Sequence, residues 1–122
     1  MIDNQWGYGP VLNVDCTEHN DVYIISLKGD LLFNELDDAE KLFMEKIALK
    51  PRVIGLNCKS LVSLDSSGLG LFIKFKKESE KSNTRLLFLN ITDHISTLFD
   101  ASKLDSMFEL MSESDFKKTY LS

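Results

Sequence analysis

Two cysteines in 122 residues, Cys16 and Cys58, stand far apart with no Cys-x-x-Cys spacing and no histidine arranged around them. That excludes a disulfide framework or a zinc knuckle and predicts reduced, half-buried thiols in a cytoplasmic protein. His19 reads as a solvated turn residue, and His94 has no nucleophile or metal-ligand neighbour in a recognisable motif. No apolar run reaches the roughly 18 to 20 residues that a membrane span requires. The first six residues have neither the basic start nor the apolar core of a signal peptide. Basic charge is scarce as well: 14 Lys and Arg against 19 Asp and Glu leave a net charge of −5, which argues against nucleic acid as a partner. No metal and no cofactor is expected.

What remains is an ordinary globular balance, 43% hydrophobic and 27% charged residues, in a chain long enough for one core. No internal repeat and no linker divides it. The expected organisation is an irregular arm over residues 1–10, ending in Gly7-Tyr8-Gly9-Pro10, and a single domain over 11–122. Trp6 and Tyr8 in the arm have two readings, packing against a sheet edge or contact with a partner.

Residues 11–16 and 22–27 alternate or are rich in β-branched and aromatic side chains, and the polar stretch 18–21 between them predicts a β-hairpin. Over residues 34–48, Leu36, Ala39, Phe43 and Ile47 recur at helical spacing, with Asn34 as the expected N-cap. The acids of residues 35–40 fit the dipole at the start of that helix better than they fit a metal. Lys50-Pro51 ends it. Residues 52–57 form an apolar, central strand that leads through a short connection, continued by Leu61, Val62 and Leu64, into Leu64-Asp65-Ser66-Ser67-Gly68-Leu69-Gly70-Leu71. An amphipathic run, 69–81, leads out, with Leu69, Phe72, Ile73 and Phe75 as its stripe. Lys74, Lys76 and Lys77 on the other side are a solvated face. A second strand over 85–89, a short helix opened by Thr92, an edge strand over 107–110 and a last helix opened by Ser112 complete the order β-β-α-β-α-β-α-β-α. Strands joined by helices are parallel, with right-handed crossovers. The fold class is therefore α/β, with a mixed sheet of about five strands and helices packed mainly on one face. The other face is expected to be poorly closed, or closed by the first strand and the arm.

The stretch 64–71 organises the rest. It places two hydroxyls and a carboxylate at a helix start, where backbone N–H groups lack partners. One reading makes Asp65 or Ser66 a helix cap and nothing more; in the other, a hydroxyl held there is exposed, fixed in geometry, and in a field that favours added negative charge. Two glycines in the first turn, Gly68 and Gly70, are poor helix formers, and imply a very close neighbouring backbone or room left for an approaching protein.

The segment Leu61-Val62-Ser63-Leu64-Asp65-Ser66-Ser67-Gly68-Leu69-Gly70 resembles the phosphorylation loop, D-S-S/T-G-L-G, of STAS domains, specifically of bacterial anti-sigma factor antagonists. Leu27-Lys28-Gly29-Asp30 and Leu98-Phe99-Asp100-Ala101-Ser102-Lys103-Leu104 are similar to two further family segments. The resemblance spans about residues 11–120 and implies a STAS-like fold. It also implies a regulator that binds an anti-sigma factor which is itself a serine kinase of the histidine-kinase-like ATPase superfamily. By that resemblance Ser66 accepts the phosphate, Asp65 positions the hydroxyl, Ser67, Gly68 and Gly70 support the loop, and a PP2C-type phosphatase reverses the modification. Nothing in this picture calls for a membrane or nucleic acid.

The chain departs from the family at Leu31-Leu32-Phe33-Asn34, where a Leu-Asp pair and a Thr-Ala are usual, and at Lys103, where a helix-ending glycine is common. The trio Leu31, Leu32 and Phe33 is expected to be exposed and, with Asp30 and Leu69, to form a partner-docking patch. Phosphate on Ser66 is expected to leave the fold intact, accommodated by the dipole and free N–H groups, and to act on the interface. The alternative is a STAS scaffold subunit of a lipid-transport ATPase or signalling assembly, without a phosphate cycle. An enzyme is disfavoured: Asp65 is adjacent to Ser66 and cannot orient a histidine against that hydroxyl, no Gly-x-Ser-x-Gly elbow exists, and Gly68-x-Gly70 lacks the remainder of a dinucleotide or P-loop motif.

Overall fold

The computed structural model describes residues 12–121; the arm with Trp6 and Tyr8 lies outside them, as does Val11. The chain opens with an antiparallel hairpin, β1 (Leu12–His19) and β2 (Val22–Leu31). Its loop is tighter than the polar stretch suggests: only Asn20 and Asp21 lie between the strands, and Asn20 takes a left-handed φ of 59°. Asparagine is one of the few residues that tolerates this conformation.

A short 3-10 turn (Phe33–Glu35) precedes α1 (Asp37–Ile47). Asn34 is therefore not the N-cap. The cap position falls to Leu36, which has no side chain able to cap, and the chain instead tightens into the 3-10 turn through the Glu35 N–H donating to the Leu32 carbonyl at 2.7 Å. The buried face is the one the spacing predicts, Ala39, Phe43 and Ile47.

After Pro51 come β3 (Val53–Leu64), α2 (Ser66–Lys81), β4 (Arg85–Leu89), α3 (Asp93–Ala101), β5 (Leu110–Met111) and α4 (Glu113–Tyr120). The sheet runs β1-β2-β3-β4-β5, with β2 to β5 parallel. When each parallel strand is laid beside its predecessor, right-handed crossovers put every connecting helix on the same face. The main core lies there: Phe43 stacks on Phe75 at 3.9 Å between ring centroids, and Phe72 packs against Phe75, Phe88, Phe99 and Phe108. Cys58 is in this core, and burial pushes its thiol up to about 12; Cys16 is half-buried, and both are free thiols.

The far face is not closed by the first strand. After β5 the chain owes nothing to a further crossover, and α4 covers that face, placing fully buried Phe116 against Val22, Ile24, Val53, Leu87 and Leu89. Gly55 makes the contact possible, since a Cβ there would lie 2.7 Å from Leu89 Cδ1 and 2.9 Å from Phe116 Cζ. Arg85 anchors the end of α4 by donating from Nη1 to the Tyr120 hydroxyl at 2.7 Å, while Nε donates to Glu109 at 3.0 Å.

Without the family's common glycine, α3 still ends in the cap that a glycine would make. Lys103 itself adopts the left-handed φ of 59°, the Leu104 N–H donates to the Phe99 carbonyl at 2.8 Å, and the Lys103 N–H donates to the Asp100 carbonyl at 3.0 Å. This is a Schellman cap with lysine in the glycine position. Left-handed backbone costs a residue with a Cβ about 1–2 kcal/mol, and glycine loses about 0.5–1 kcal/mol more backbone freedom on folding. Lys103→Gly is therefore expected to raise stability by roughly 0.5–1 kcal/mol, read as a higher urea midpoint at unchanged slope; a lower midpoint refutes the account.

Candidate functional site: the β3–α2 junction

No connection separates strand from helix. Asn57, Lys59 and Ser60 interrupt the apolar run, yet β3 continues to Leu64, paired to β2 through two register shifts. At the second shift Val62 is the extra residue between Leu61↔Gly29 and Ser63↔Asp30, and it stands 67% exposed. Beyond Asn57, β3 has outrun β4, so this end of the strand projects past its neighbour. One residue, Asp65, then turns the chain into α2.

Asp65 is the cap, and its two oxygens do different work. Oδ1 accepts from the N–H groups of Ser67 at 3.0 Å and Gly68 at 3.1 Å. Oδ2 accepts from the N–H of Phe33 at 3.0 Å, which ties the β2–α1 connection to the helix start. The Asp65 N–H completes the junction by donating to the Leu31 carbonyl at 3.4 Å. Desolvation opposes ionisation of Asp65, but the hydrogen bonds from Gly68, Phe33, Ser67 and its own backbone N–H together hold its carboxyl below the ordinary value of 3.8. A carboxyl depressed in the folded state stabilises above its unfolded pKa and loses that contribution as pH falls through the folded value. The stability advantage of wild type over Asp65→Asn is thus expected to be complete above about pH 4 and to shrink below it in denaturant titrations. An advantage that grows on acidification refutes the assignment.

Ser66, the first residue of α2, is exposed, and no residue among those described hydrogen-bonds its hydroxyl. Ser67 is half-buried. The first-turn N–H groups of Ser67 and Gly68, expected to be free for a phosphate, are already occupied by Asp65. The two glycines divide the roles anticipated for them. A Cβ on Gly68 would lie 2.7 Å from the Leu31 carbonyl oxygen, whereas one on Gly70 would meet nothing within 4 Å. Gly68 is a close approach; Gly70 faces open space.

The residues grouped as a docking patch separate here. Leu31 is fully buried and belongs to the core, so the expectation of an exposed trio is wrong for it: Leu31 still points inward as the last residue of β2, paired with Leu64. Leu32 and Leu69 are half-buried, and Phe33 is 74% exposed. Half-buried Asp30 accepts from the Ser63 hydroxyl at 2.9 Å across the β2–β3 pair. Lys74 is paired with Glu40 and Lys76 with Glu80, so neither is a phosphate clamp. His94 is exposed in the first turn of α3. Among the described residues no group of three or more His, Cys, Asp or Glu side chains is placed to hold a metal, and no helix is long and apolar enough to cross a membrane.

The profile of the STAS domain matches residues 13–119. The chain belongs to the STAS domain family. Among curated relatives, an anti-sigma-B factor antagonist of Staphylococcus epidermidis is 25% identical over 79% of this chain and 89% of its own length. Among solved structures, an anti-sigma factor antagonist from Mycobacterium paratuberculosis superposes with a TM-score of 0.80 at 17% identity, covering 92% of this chain and 95% of that one. The Bacillus cell fate determinant SpoIIAA in its phosphorylated form superposes with a TM-score of 0.68 at 21% identity, covering 88% of this chain and 97% of that one. This STAS domain is thus similar to anti-sigma factor antagonists, which are regulators rather than enzymes. The segments that carried the resemblance in the sequence, residues 27–30, 61–70 and 98–104, all fall within the matched span. Sequence reasoning missed the Asp65–Phe33 tether, for which no local pattern exists, because its partners are 32 residues apart.

Proposed function

We propose that this STAS domain is an anti-sigma factor antagonist in a partner-switching pathway of the cytoplasm. In its unmodified form it binds an anti-sigma factor that is also a serine kinase of the histidine-kinase-like ATPase superfamily. Transfer of phosphate to Ser66 releases it, and a PP2C-type phosphatase restores it. The observation that carries this reading is Ser66 itself: an exposed hydroxyl at the start of α2, held by an aspartate cap on one side and bordered on the other by Gly70, which leaves space for an approaching protein. A phosphate there adds about −1.5 to −2 charges at the centre of the contact, beside Asp65, which already holds the N–H groups of Ser67 and Gly68.

The test is mass spectrometry of the chain purified from its own host together with its co-eluting proteins, followed by reaction with the purified kinase. The expected result is one serine kinase and a single phosphate, on Ser66. A transporter or scaffold partner with no phosphate on the chain supports the scaffold reading instead, and phosphate on Ser67 alone overturns the site.

A further inference from the structure

Eight phenylalanines are present, and seven are buried; Phe33 is 74% exposed. An exposed phenylalanine at the end of a strand is ordinarily a mobile side chain on a loose loop. Here it is not loose. Its N–H is held by Asp65 Oδ2 at 3.0 Å, and the 3-10 turn it opens is closed by the Glu35 N–H on the Leu32 carbonyl at 2.7 Å. The backbone that carries the ring is therefore held one hydrogen bond away from the residue that precedes Ser66. Val62, also exposed, emerges from the β3 bulge at the same end of the sheet. An exposed aromatic on a tethered backbone beside an exposed hydroxyl suits a docking anchor, because only the ring's own rotamer remains to be ordered on association.

The surroundings define the partner surface. Glu35, Asp37 and Asp38 follow Phe33 directly, and none is in an ion pair among the described residues. An apolar ring flanked by carboxylates fits an apolar pocket rimmed by Lys or Arg. We infer that Phe33 is the anchor by which the serine kinase docks, seated in such a pocket, and that Asp65 is the positioning residue that holds it there. This rests on the function proposed above and assigns its contact. The rim carboxylates speed encounter, while the centre, at Ser66 and Phe33, sets occupancy.

The division of labour on Asp65 explains why an aspartate is needed. Asparagine caps a helix as well as aspartate does. With its carbonyl on Ser67 and Gly68, however, its amide NH2 would face the Phe33 N–H, donor against donor. Asp65→Asn therefore keeps the cap and cuts the tether.

The experiment uses the full chain, the kinase that phosphorylates it, and the variants Phe33→Ala, Asp65→Asn and the double variant. In the free chain, amide exchange at Phe33 is expected to speed about tenfold in Asp65→Asn while that at Gly68 changes little. Phe33→Ala is expected to weaken kinase binding about 30-fold or more at an unchanged melting temperature. Asp65→Asn is expected to weaken it roughly tenfold, and the double variant no more than Phe33→Ala alone, since Asp65 acts through Phe33. Wild-type affinity in Phe33→Ala, additive losses in the double variant, or unchanged exchange at Phe33 in Asp65→Asn each overturn the inference while leaving the proposed function standing. A wild-type chain that no serine kinase binds or modifies overturns both.

Discussion

A phosphate on Ser66 is expected to weaken the complex with the kinase by on the order of 10³- to 10⁴-fold, about 4 to 5.5 kcal/mol. The lower bound follows from the cost of burying an unpaired or like-charged group at an interface, several kcal/mol. The upper is what a switch from 99:1 to 1:99 occupancy demands, about 5.5 kcal/mol. The melting temperature of the chain is expected to move by no more than a few degrees. At the start of α2 the dipole favours the added charge, Asp65 opposes it, and the Ser67 and Gly68 N–H groups remain committed to Asp65 Oδ1. Because those groups are taken, the slight stabilisation that open amides would give is not expected. Calorimetric titration of the kinase with unmodified and Ser66-phosphorylated chain decides it. Equal affinities would remove the switch and leave a STAS domain that binds by its fold alone.

Gly68→Ala is expected to destabilise the chain by about 2–3 kcal/mol, the upper part of the range for overpacking a well-filled site. Its Cβ would lie 2.7 Å from a backbone carbonyl oxygen, that of Leu31, and 3.0 Å from Leu64 Cβ. Neither is the end of a flexible side chain, so β2 and α2 must part. The same displacement stretches the junction that Asp65 closes, because the Leu31 carbonyl also receives the Asp65 N–H. Gly70→Ala is the control. With nothing within 4 Å of its Cβ, it should gain up to about 1 kcal/mol from better helix propensity. Urea denaturation of the two variants, two residues apart in one helix, is expected to shift in opposite directions. Equal destabilisation would show that both positions report only helix propensity and that the close approach is unimportant.

The fold was largely legible in the sequence because its signals are local. Leu36, Ala39, Phe43 and Ile47 mark a helix face, the apolar runs 53–56 and 85–89 mark covered strands, and Thr92 and Ser112 cap the helices that follow them. The misreadings share a cause. Asn34 resembles an N-cap from its neighbours alone, but the Phe33 N–H beside it is claimed by Asp65, from a different element, and the helix starts three residues later at Asp37. Leu31 resembles exposed surface because it sits in an apolar trio after a Gly-Asp, yet a strand continuing to Leu31 alternates it inward. Coverage of the far face by α4 left no signal, because nothing in Phe116 and Tyr120 says which side of a sheet their helix will take. For the site, Asp65-Ser66-Ser67-Gly68 announces a capped helix start in any reading. Which oxygen goes to which N–H is a matter of three-dimensional closure and leaves no trace in spacing.

The sequential strand order has a bearing on how the polypeptide is made. Each strand pairs with the one synthesised just before it, so the sheet can grow during translation from the β1–β2 hairpin outward, with no segment waiting for a distant mate. The exception is α4. Until α4 has been made and has cleared the ribosome, Val22, Ile24, Val53, Leu87 and Leu89 lack the Phe116 ring that covers them. For that interval the nascent chain carries an uncapped greasy surface, the part of the sheet most open to misassociation.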